Sequence, residues 1–335
     1  MPTIKDVARA AGVSVSTVSI VLNGLAEARK IPPATREKVI AAVREVDYQP
    51  NLSARRLRTR AEQEYTVALY WGYDTRSFAL TQIIQALHKK IMDLAPKIAL
   101  QVRPFIPGRL NEDAALKAPS SFNGVIIGTL DQKDLDYLEE NPPLIPVVLF
   151  NRRSRVFSSV STDNNEAGAL AAAQLLNKNI TDIGAVTQGS TFVAMGLRRQ
   201  SFLDACRAHG ITSLEDSTLV ADDTIAGGYA AGKEFLRRGH VPKGIFCEDD
   251  AMAYGLVSAL TEAGLRVPED VKVVATGLGS PDLSRHSVPP LTVVEIPLDQ
   301  LAEASLPLLI SLIERKSFPP QDIRFEYRLY ARQSC

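Results

Sequence analysis

Val15, Ser16, Thr17, Ser19 and Ile20 put three hydroxyls and two branched apolar groups within six positions. Hydroxyls can hydrogen-bond to base edges or phosphates, and Val or Ile can pack on a thymine methyl, so this set fits contact with nucleic acid rather than proton or electron transfer. Farther on, Arg55, Arg56 and Arg58 are closely spaced cations able to neutralise phosphates. Catalytic patterns are missing by comparison. His88, His209, His240 and His286 are scattered outside any metal-ligand spacing, and Asp282, Ser284 and His286 share one loop, whereas triad partners converge through the fold. Cys206, Cys247 and Cys335 have neither metal-site nor redox-motif spacing, and GLGSPD is no dinucleotide loop. No catalytic residue, metal site or cofactor is expected.

The elements that must hold these side chains are readable from spacing. Thr3 is an N-cap, and Ile4, Val7, Ala8 and Ala11 form the apolar stripe of a first helix. Gly12 breaks it, Val13 packs at the turn, and Ser14 caps a second helix whose Val18, Val21 and Leu22 face inward. Val15, Ser16, Thr17, Ser19 and Ile20 are left facing outward, so the pair is a helix-turn-helix. A third helix from Pro33 to Val46 turns Val39, Ile40, Val43 and Val46 inward, with Pro33 in its first turn. Charge agrees with this. Residues 1–60 hold eleven basic side chains against five acidic ones, net +6, while the whole chain balances 38 against 38, which leaves net −6 on the rest. A basic head on an acidic body is the distribution expected when only the head meets phosphate.

At 335 residues, 45% of them hydrophobic, the chain exceeds one ordinary core and is long enough for a head plus two globular units. No run approaches the roughly 18 to 20 apolar residues of a membrane span. The N-terminus reads as a capped helix rather than a signal peptide, and the scattered cysteines read as reduced thiols of a cytoplasmic protein. After a polar connector at 59–64 the pattern turns to apolar runs alternating with amphipathic stretches. TVALYW (Thr66–Trp71), GVIIG (Gly124–Gly128), PVVLF (Pro146–Phe150), DIGAV (Asp182–Val186), GIFC (Gly244–Cys247) and VKVVAT (Val271–Thr276) read as buried parallel strands. Helices are expected over 80–94, 164–177, 195–209, 228–238, 251–264 and 299–315. Such alternation predicts doubly wound sheets with ligands at the carboxyl ends of the strands.

Residues 3–24, the third helix, and Tyr48, Gln49, Pro50, Asn51, Ala54, Arg55 and Leu57 together resemble the opening of the LacI/GalR family of bacterial transcription regulators. STDNNEAG (Ser161–Gly168), CEDDAMAYGLVSAL (Cys247–Leu260) with EAGLRVPEDVKVVATG (Glu262–Gly277), LTVVEIP (Leu291–Pro297) and the terminal Ala331, Arg332, Gln333 and Ser334 resemble that family's core. The resemblance implies an all-α helix-turn-helix head, residues 1–60, with a hinge helix at 51–58. An α/β two-lobed periplasmic-binding-protein-like core of doubly wound parallel sheets would follow, one lobe spanning 65–162 and 292–324, the other 163–291 and 325–335. STDNNEAG, whose Asp163 and Glu166 stand in a capping-box arrangement, resembles the crossing into the second lobe, and LTVVEIP the return.

Site residues follow from the same resemblance. DNA contacts would come from Thr3, Val15, Ser16, Thr17, Ser19, Ile20 and Asn23 of the head and from Asn51, Ala54, Arg55, Leu57 and Arg58 of the hinge. Many members carry Arg at the position of Ile20, where it pairs with guanine; Ile20 and Val15 offer apolar contact only, so weak guanine selection is expected. A hinge of about two turns is too short to be stable alone. It folds on the operator when two copies pack together, with Leu57 as the wedge, which implies a homodimer on near-palindromic double-stranded DNA.

By the resemblance, effector positions fall on Asn151, Arg198, Asp223, Asp249 and Gly279, and Tyr73, Asp74 and Phe78, with Trp71 in the same first strand-to-helix loop, are candidates for the other wall of the effector site. Sugar-binding members often have an aromatic ring near Asp223, Asn near Asp249 and Asp near Gly279, and this chain lacks all three. Asp223, Asp249 and Glu248 opposite Arg198, Arg152 and Arg153 fit a small polar effector, either a carbohydrate or a charged metabolite. The expected function is a ligand-controlled repressor. The alternative is a solute-binding or sugar-processing protein that uses the core directly. It would need an export signal or an acid–base pair, and would have no use for a basic head. Gel-shift affinity measured across salt should fall with a log–log slope of several units for a dimer with so basic a head. A slope near zero would contradict phosphate contact.

Overall fold

The computed structural model describes residues 2–46, 48, 64–72, 77–94, 97–118, 121–189, 193–211, 214, 216–278, 281–314 and 319–335. Three helices open the chain: α1 (Ile4–Ala11), α2 (Val15–Leu22) and α3 (Pro33–Glu45). Gly12 ends α1 in the left-handed conformation, φ 65°, and its N–H returns to the Ala8 and Arg9 carbonyls. A glycine takes that turn without steric cost. Val7 and Ala8 of α1, Val18, Val21 and Leu22 of α2, and Val39, Ala42 and Val43 of α3 close one apolar core. Val46 is half-buried and packs against this core as expected, whereas Ile40 is half-buried without joining it and Ala42 takes an inner place.

Beyond the head the strands run β1 (Glu64–Gly72), β2 (Lys97–Phe105), β3 (Gly124–Ile127), β4 (Val147–Phe150), β5 (Ser158–Thr162), β6 (Ile183–Thr187), β7 (Thr218–Val220), β8 (Gly244–Cys247), β9 (Lys272–Gly277), β10 (Thr292–Glu295), β11 (Asp322–Phe325) and β12 (Arg328–Tyr330). The helices between them are α4 (Ser77–Asp93), α5 (Ala114–Lys117), α6 (Gln132–Glu140), α7 (Asn164–Leu176), α8 (Val193–Ala208), α9 (Ile225–Arg237), α10 (Asp250–Glu262), α11 (Pro281–His286) and α12 (Leu298–Ile313). One sheet has the order β11-β5-β4-β3-β1-β2 and the other β12-β10-β9-β8-β6-β7. Pairing is parallel from β2 through β1 and β3 to β4, and from β7 through β6, β8 and β9 to β10; β12 joins β10 antiparallel. The chain divides into two units, residues 1–73, 88–159 and 304–322 in one and 74–87, 160–303 and 323–335 in the other.

Each strand announced by an apolar run lies inside a sheet. The four edges, β2, β7, β11 and β12, had no such signal. Interior parallel strands are covered on both faces and read as continuous Val/Ile/Leu runs, whereas an edge strand such as β2 keeps exposed polar positions. β5, reading SSVST, is interior and fully buried, yet polar. Its hydroxyls are matched: Ser159 Oγ donates to Asp322 Oδ1 at 2.9 Å and Thr162 Oγ1 to the Tyr327 hydroxyl at 2.9 Å. The boundary drawn at 292 falls later in the structure. Thr292–Glu295 pairs with β9 and β12 in the second sheet, because its apolar side chains extend that sheet's core.

Two helix pairs of the second unit touch backbone to backbone. A Cβ on Gly255 of α10 would overlap the Ile225 carbonyl oxygen of α9, and one on Gly228 of α9 would overlap the Met252 carbonyl oxygen of α10. Likewise a Cβ on Gly168 of α7 would overlap the Arg198 carbonyl oxygen of α8. On helix propensity alone Gly255→Ala stabilises by about 1 kcal/mol. Overlap with backbone reverses the sign, so urea unfolding of Gly255→Ala should show a loss of at least about 2 kcal/mol. A gain in stability would mean that the two helices stand apart.

Candidate functional site

In the head, local hydrogen bonds set up the outward surface. The Thr3 N–H and hydroxyl both donate to Asp6 Oδ2, at 2.8 and 2.7 Å, and these bonds hold the Asp6 carboxyl below its usual range. Ser14 Oγ accepts the Thr17 N–H at 3.1 Å and lies 2.7 Å from Ser16 Oγ and 2.8 Å from Thr17 Oγ1. One cap residue thus orders the hydroxyls that open α2. Val15 is 41% exposed and Ser16 is also exposed, while Thr17, Ser19 and Ile20 are half-buried. Asn23 turns its amide back on α2, donating to the Ser19 carbonyl at 2.6 Å and to Ser19 Oγ at 3.2 Å. Both Nδ2 bonds end the helix, so Asn23 acts as a C-terminal brace as well as a candidate DNA contact. Asn51, Ala54, Arg55, Leu57 and Arg58 lie outside the described residues, as do Tyr73, Asp74 and Gly279.

In the first unit, polar and aromatic groups gather at the carboxyl ends of β1, β3 and β4, where doubly wound sheets bind ligands. Asn151 follows β4 with φ 52° and Thr129 follows β3 with φ 55°. Asn tolerates that region, whereas a β-branched Thr is strained there. Thr129 Oγ1 accepts the Gly72 N–H and donates to the Gly128 carbonyl. The Trp71 ring stands edge-on to Phe150, 6.0 Å between centroids, and its buried Nε1–H has no partner. Arg152 and Arg153, expected opposite the acidic residues, are engaged within this unit. Arg152 Nη2 donates to Gln132 Oε1 at 2.6 Å, and Arg153 pairs with Asp322 at 3.1 Å.

In the second unit the carboxyl ends of β6 and β8 carry the charged groups. Close contact of α7 with α8 at Gly168 holds Arg198 in place, 1% exposed, with its guanidinium against the Tyr327 hydroxyl. That hydroxyl accepts from Thr162 and donates to Asn164 Oδ1 at 2.8 Å. Arg198 Nε and Nη1 remain unpaired. Glu248, at the end of β8, is fully buried; its Oε2 accepts the Gln188 N–H at 2.8 Å and its Oε1 has no partner. Burial pushes the Glu248 carboxyl up, against the lowering pull of the Gln188 N–H and of Arg199 and Arg198. Asp249 caps α10, accepting the Ala251 N–H at 2.7 Å. Asp223 is half-buried just before α9, whose cap is Thr224. Phe78, near the start of α4, is exposed.

Sequence reasoning did not find Gln188, Asn164, Thr162 or Tyr327. Gln188 follows a predicted strand, and the rule that ligands sit at strand ends could have located it; Tyr327 lies in a short polar stretch with no local signal. Ser284 is occupied structurally, donating to the Pro281 carbonyl at 3.0 Å and accepting from Arg332 at 3.2 Å, while His286 is exposed. Among the described residues, no cluster of His, Cys, Asp and Glu is placed to hold a metal ion. No helix among them is long and apolar enough to cross a membrane.

Residues 3–51 match the family model of bacterial regulatory proteins, lacI family, and residues 157–335 match that of a periplasmic binding protein-like domain. The HTH-type transcriptional repressor PurR of Yersinia enterocolitica is 29% identical over all of this chain and 97% of its own. A LacI family transcription regulator from Clostridium acetobutylicum has a similar structure, with a TM-score of 0.76 at 29% identity, over 80% of this chain and 99% of its own. The transcriptional regulator CelR in complex with cellobiose gives a TM-score of 0.70 at 27% identity, over the whole of both chains.

Because Ser14 both caps α2 and orders Ser16 and Thr17, Ser14→Ala should weaken the first turn of α2 by about 1 kcal/mol. Amide hydrogen exchange on the full-length protein checks this, as a loss of protection in α2 and α1 with the core amides unchanged. Equal protection in the variant would show that the cap is dispensable.

Proposed function

We propose that this chain, which belongs to the lacI family of bacterial regulatory proteins, represses transcription by gripping its operator with α1, α2 and the 51–58 hinge while a ligand in the core sets the strength of the grip. It is a ligand-responsive DNA-binding transcriptional regulator, not an enzyme, and binds double-stranded operator DNA as a homodimer. The observation that carries the reading is the head. Its inner faces close a core of their own, its second helix is capped by Ser14, and Val15 and Ser16 stay exposed for contact in the major groove.

Contacts from Thr3, Thr17, Ser19, Ile20 and Asn23, and from Asn51, Ala54, Arg55, Leu57 and Arg58 of the hinge, complete the proposed DNA surface. With Val15 and Ile20 at base-reading positions, apolar contact with thymine outweighs guanine selection. Leu57 enters the minor groove and the arginines beside it neutralise phosphates. A regulator works where the chromosome is, which places the protein in the cytoplasm.

The effector half of the reading is supported by the unpaired buried groups at the carboxyl ends of both sheets. Asn151, Arg198, Asp223, Asp249 and Gly279, by family position, and Tyr73, Asp74 and Phe78, from the first strand-to-helix loop, are the proposed ligand contacts. The effector is a small polar molecule, a carbohydrate or related metabolite, in line with the cellobiose held by CelR. Its binding shifts operator affinity by a coupling of about 1 to 3 kcal/mol, roughly 5- to 150-fold.

Selection from a genomic library of double-stranded DNA by the full-length protein tests the reading. Near-palindromic sites should be enriched, bound at least about a thousandfold more tightly than random duplex. Leu57→Ala should abolish bending and most of that preference, and Ile20→Arg should shift the selected bases toward guanine. Failure of the native chain to enrich any site would sink the proposal.

A further inference from the structure

Two buried polar side chains at the carboxyl end of the second sheet are left with unused hydrogen-bonding capacity. Arg198 in α8 is 1% exposed with Nε and Nη1 unpaired, and Glu248 after β8 is fully buried with Oε1 unpaired. Their other atoms are held: Glu248 Oε2 accepts the Gln188 N–H at 2.8 Å, and the guanidinium lies against the Tyr327 hydroxyl. Buried polar groups are matched almost without exception, and each one left unmatched is costly. Orphaned donors and an orphaned acceptor whose charges act on one another call for a molecule that presents both an acceptor and a donor.

We propose that Glu248 determines ligand specificity: its free oxygen takes a hydrogen bond from a hydroxyl or other neutral donor of the effector, and its carboxylate bars acids from the guanidinium of Arg198. The inference rests on the reading of the core as an effector site and adds to it the charge class of the ligand. A buried arginine alone would recruit a carboxylate or a phosphate. Glu248 changes that outcome, because an anion seated on Arg198 would also feel the like charge of a buried carboxyl that Arg198 itself acts on. Arg199 does not tip the balance back. Its Nη1 donates to the Gln188 carbonyl at 2.9 Å, and Asp249, acting on the same Glu248 carboxyl, sets a second anion against this second cation. Two cations and two anions leave little net charge for an ionic ligand to answer. A hydroxyl fits where an anion does not, since it accepts from N–H and donates to carboxylate at once.

The test is calorimetric titration of the full-length protein with matched pairs: glucose against glucuronate and glucose 6-phosphate, ribose against ribose 5-phosphate, and cellobiose against cellobionate. In every pair that binds, the neutral member should bind at least about 10-fold more tightly than its acid. Glu248→Gln keeps an oxygen for the Gln188 N–H but removes the charge; it should weaken the neutral ligand about 10-fold or more and narrow the gap to the acid. The inference is overturned if an acid binds native protein as well as its neutral parent, if Glu248→Gln leaves the gap unchanged, or if no neutral member binds. The native comparison needs no variant, so it decides even if Glu248→Gln folds poorly. Operator gel shifts on the same preparations separate the two layers. Intact operator binding with a contrary ligand result removes only the role of Glu248, whereas absent operator binding removes the regulator reading.

Discussion

Direct contact between helix backbones governs the second unit. Where α7 meets α8 at Gly168, and α9 meets α10 at Gly228 and Gly255, no side chain stands between the helices. Their separation is then set by backbone van der Waals contact, which is nearly incompressible. The groups those helices carry inherit that precision. Arg198 rides on α8, Asp249 caps α10, and Asp223 precedes the cap of α9. A ligand meeting polar groups already held in position loses less entropy on binding than one that must order them.

Electrostatics explains why the same lobe tolerates what would otherwise be a fault. An arginine without a full set of partners, sealed from water, costs stability that a packed apolar side chain would not. Arg198 and Glu248 both carry such unmatched atoms, and their charges act on one another. Arg153 makes the contrast. It is exposed and its charge is answered by Asp322, while Arg152 gives one N–H to the neutral Gln132 and keeps a buried Nε without a partner.

The head follows different physics. Its core is small and its capping bonds are local, Thr3 with Asp6 and Ser14 with Thr17, so its form depends on few long-range contacts. That locality leaves the outer face of α2 free of structural duty apart from the Asn23 brace. The reading surface can therefore vary in sequence while the scaffold holds.

Locality also divides what was legible from what was not. Capping residues, the glycine turn, most of the helix stripes and six of the eight interior strands were readable, because each is written in neighbouring residues at a period of 3.6 or as an unbroken apolar run. Edge strands β2, β7, β11 and β12 were not, since solvent on one side lets polar residues interrupt the pattern. Polar β5 escaped notice because its hydroxyls find partners more than 160 residues away. The amino-acid order by itself determined a basic helical reader joined to an α/β core, and named Arg198 and Asp249 through family likeness. Only the tertiary structure decided that Thr292–Glu295 belongs to the second sheet, that Arg153 is already paired with Asp322, and that Arg198 and Glu248 are buried with atoms to spare. Burial and partnership are sums over residues distant in the chain, and no local pattern encodes such a sum.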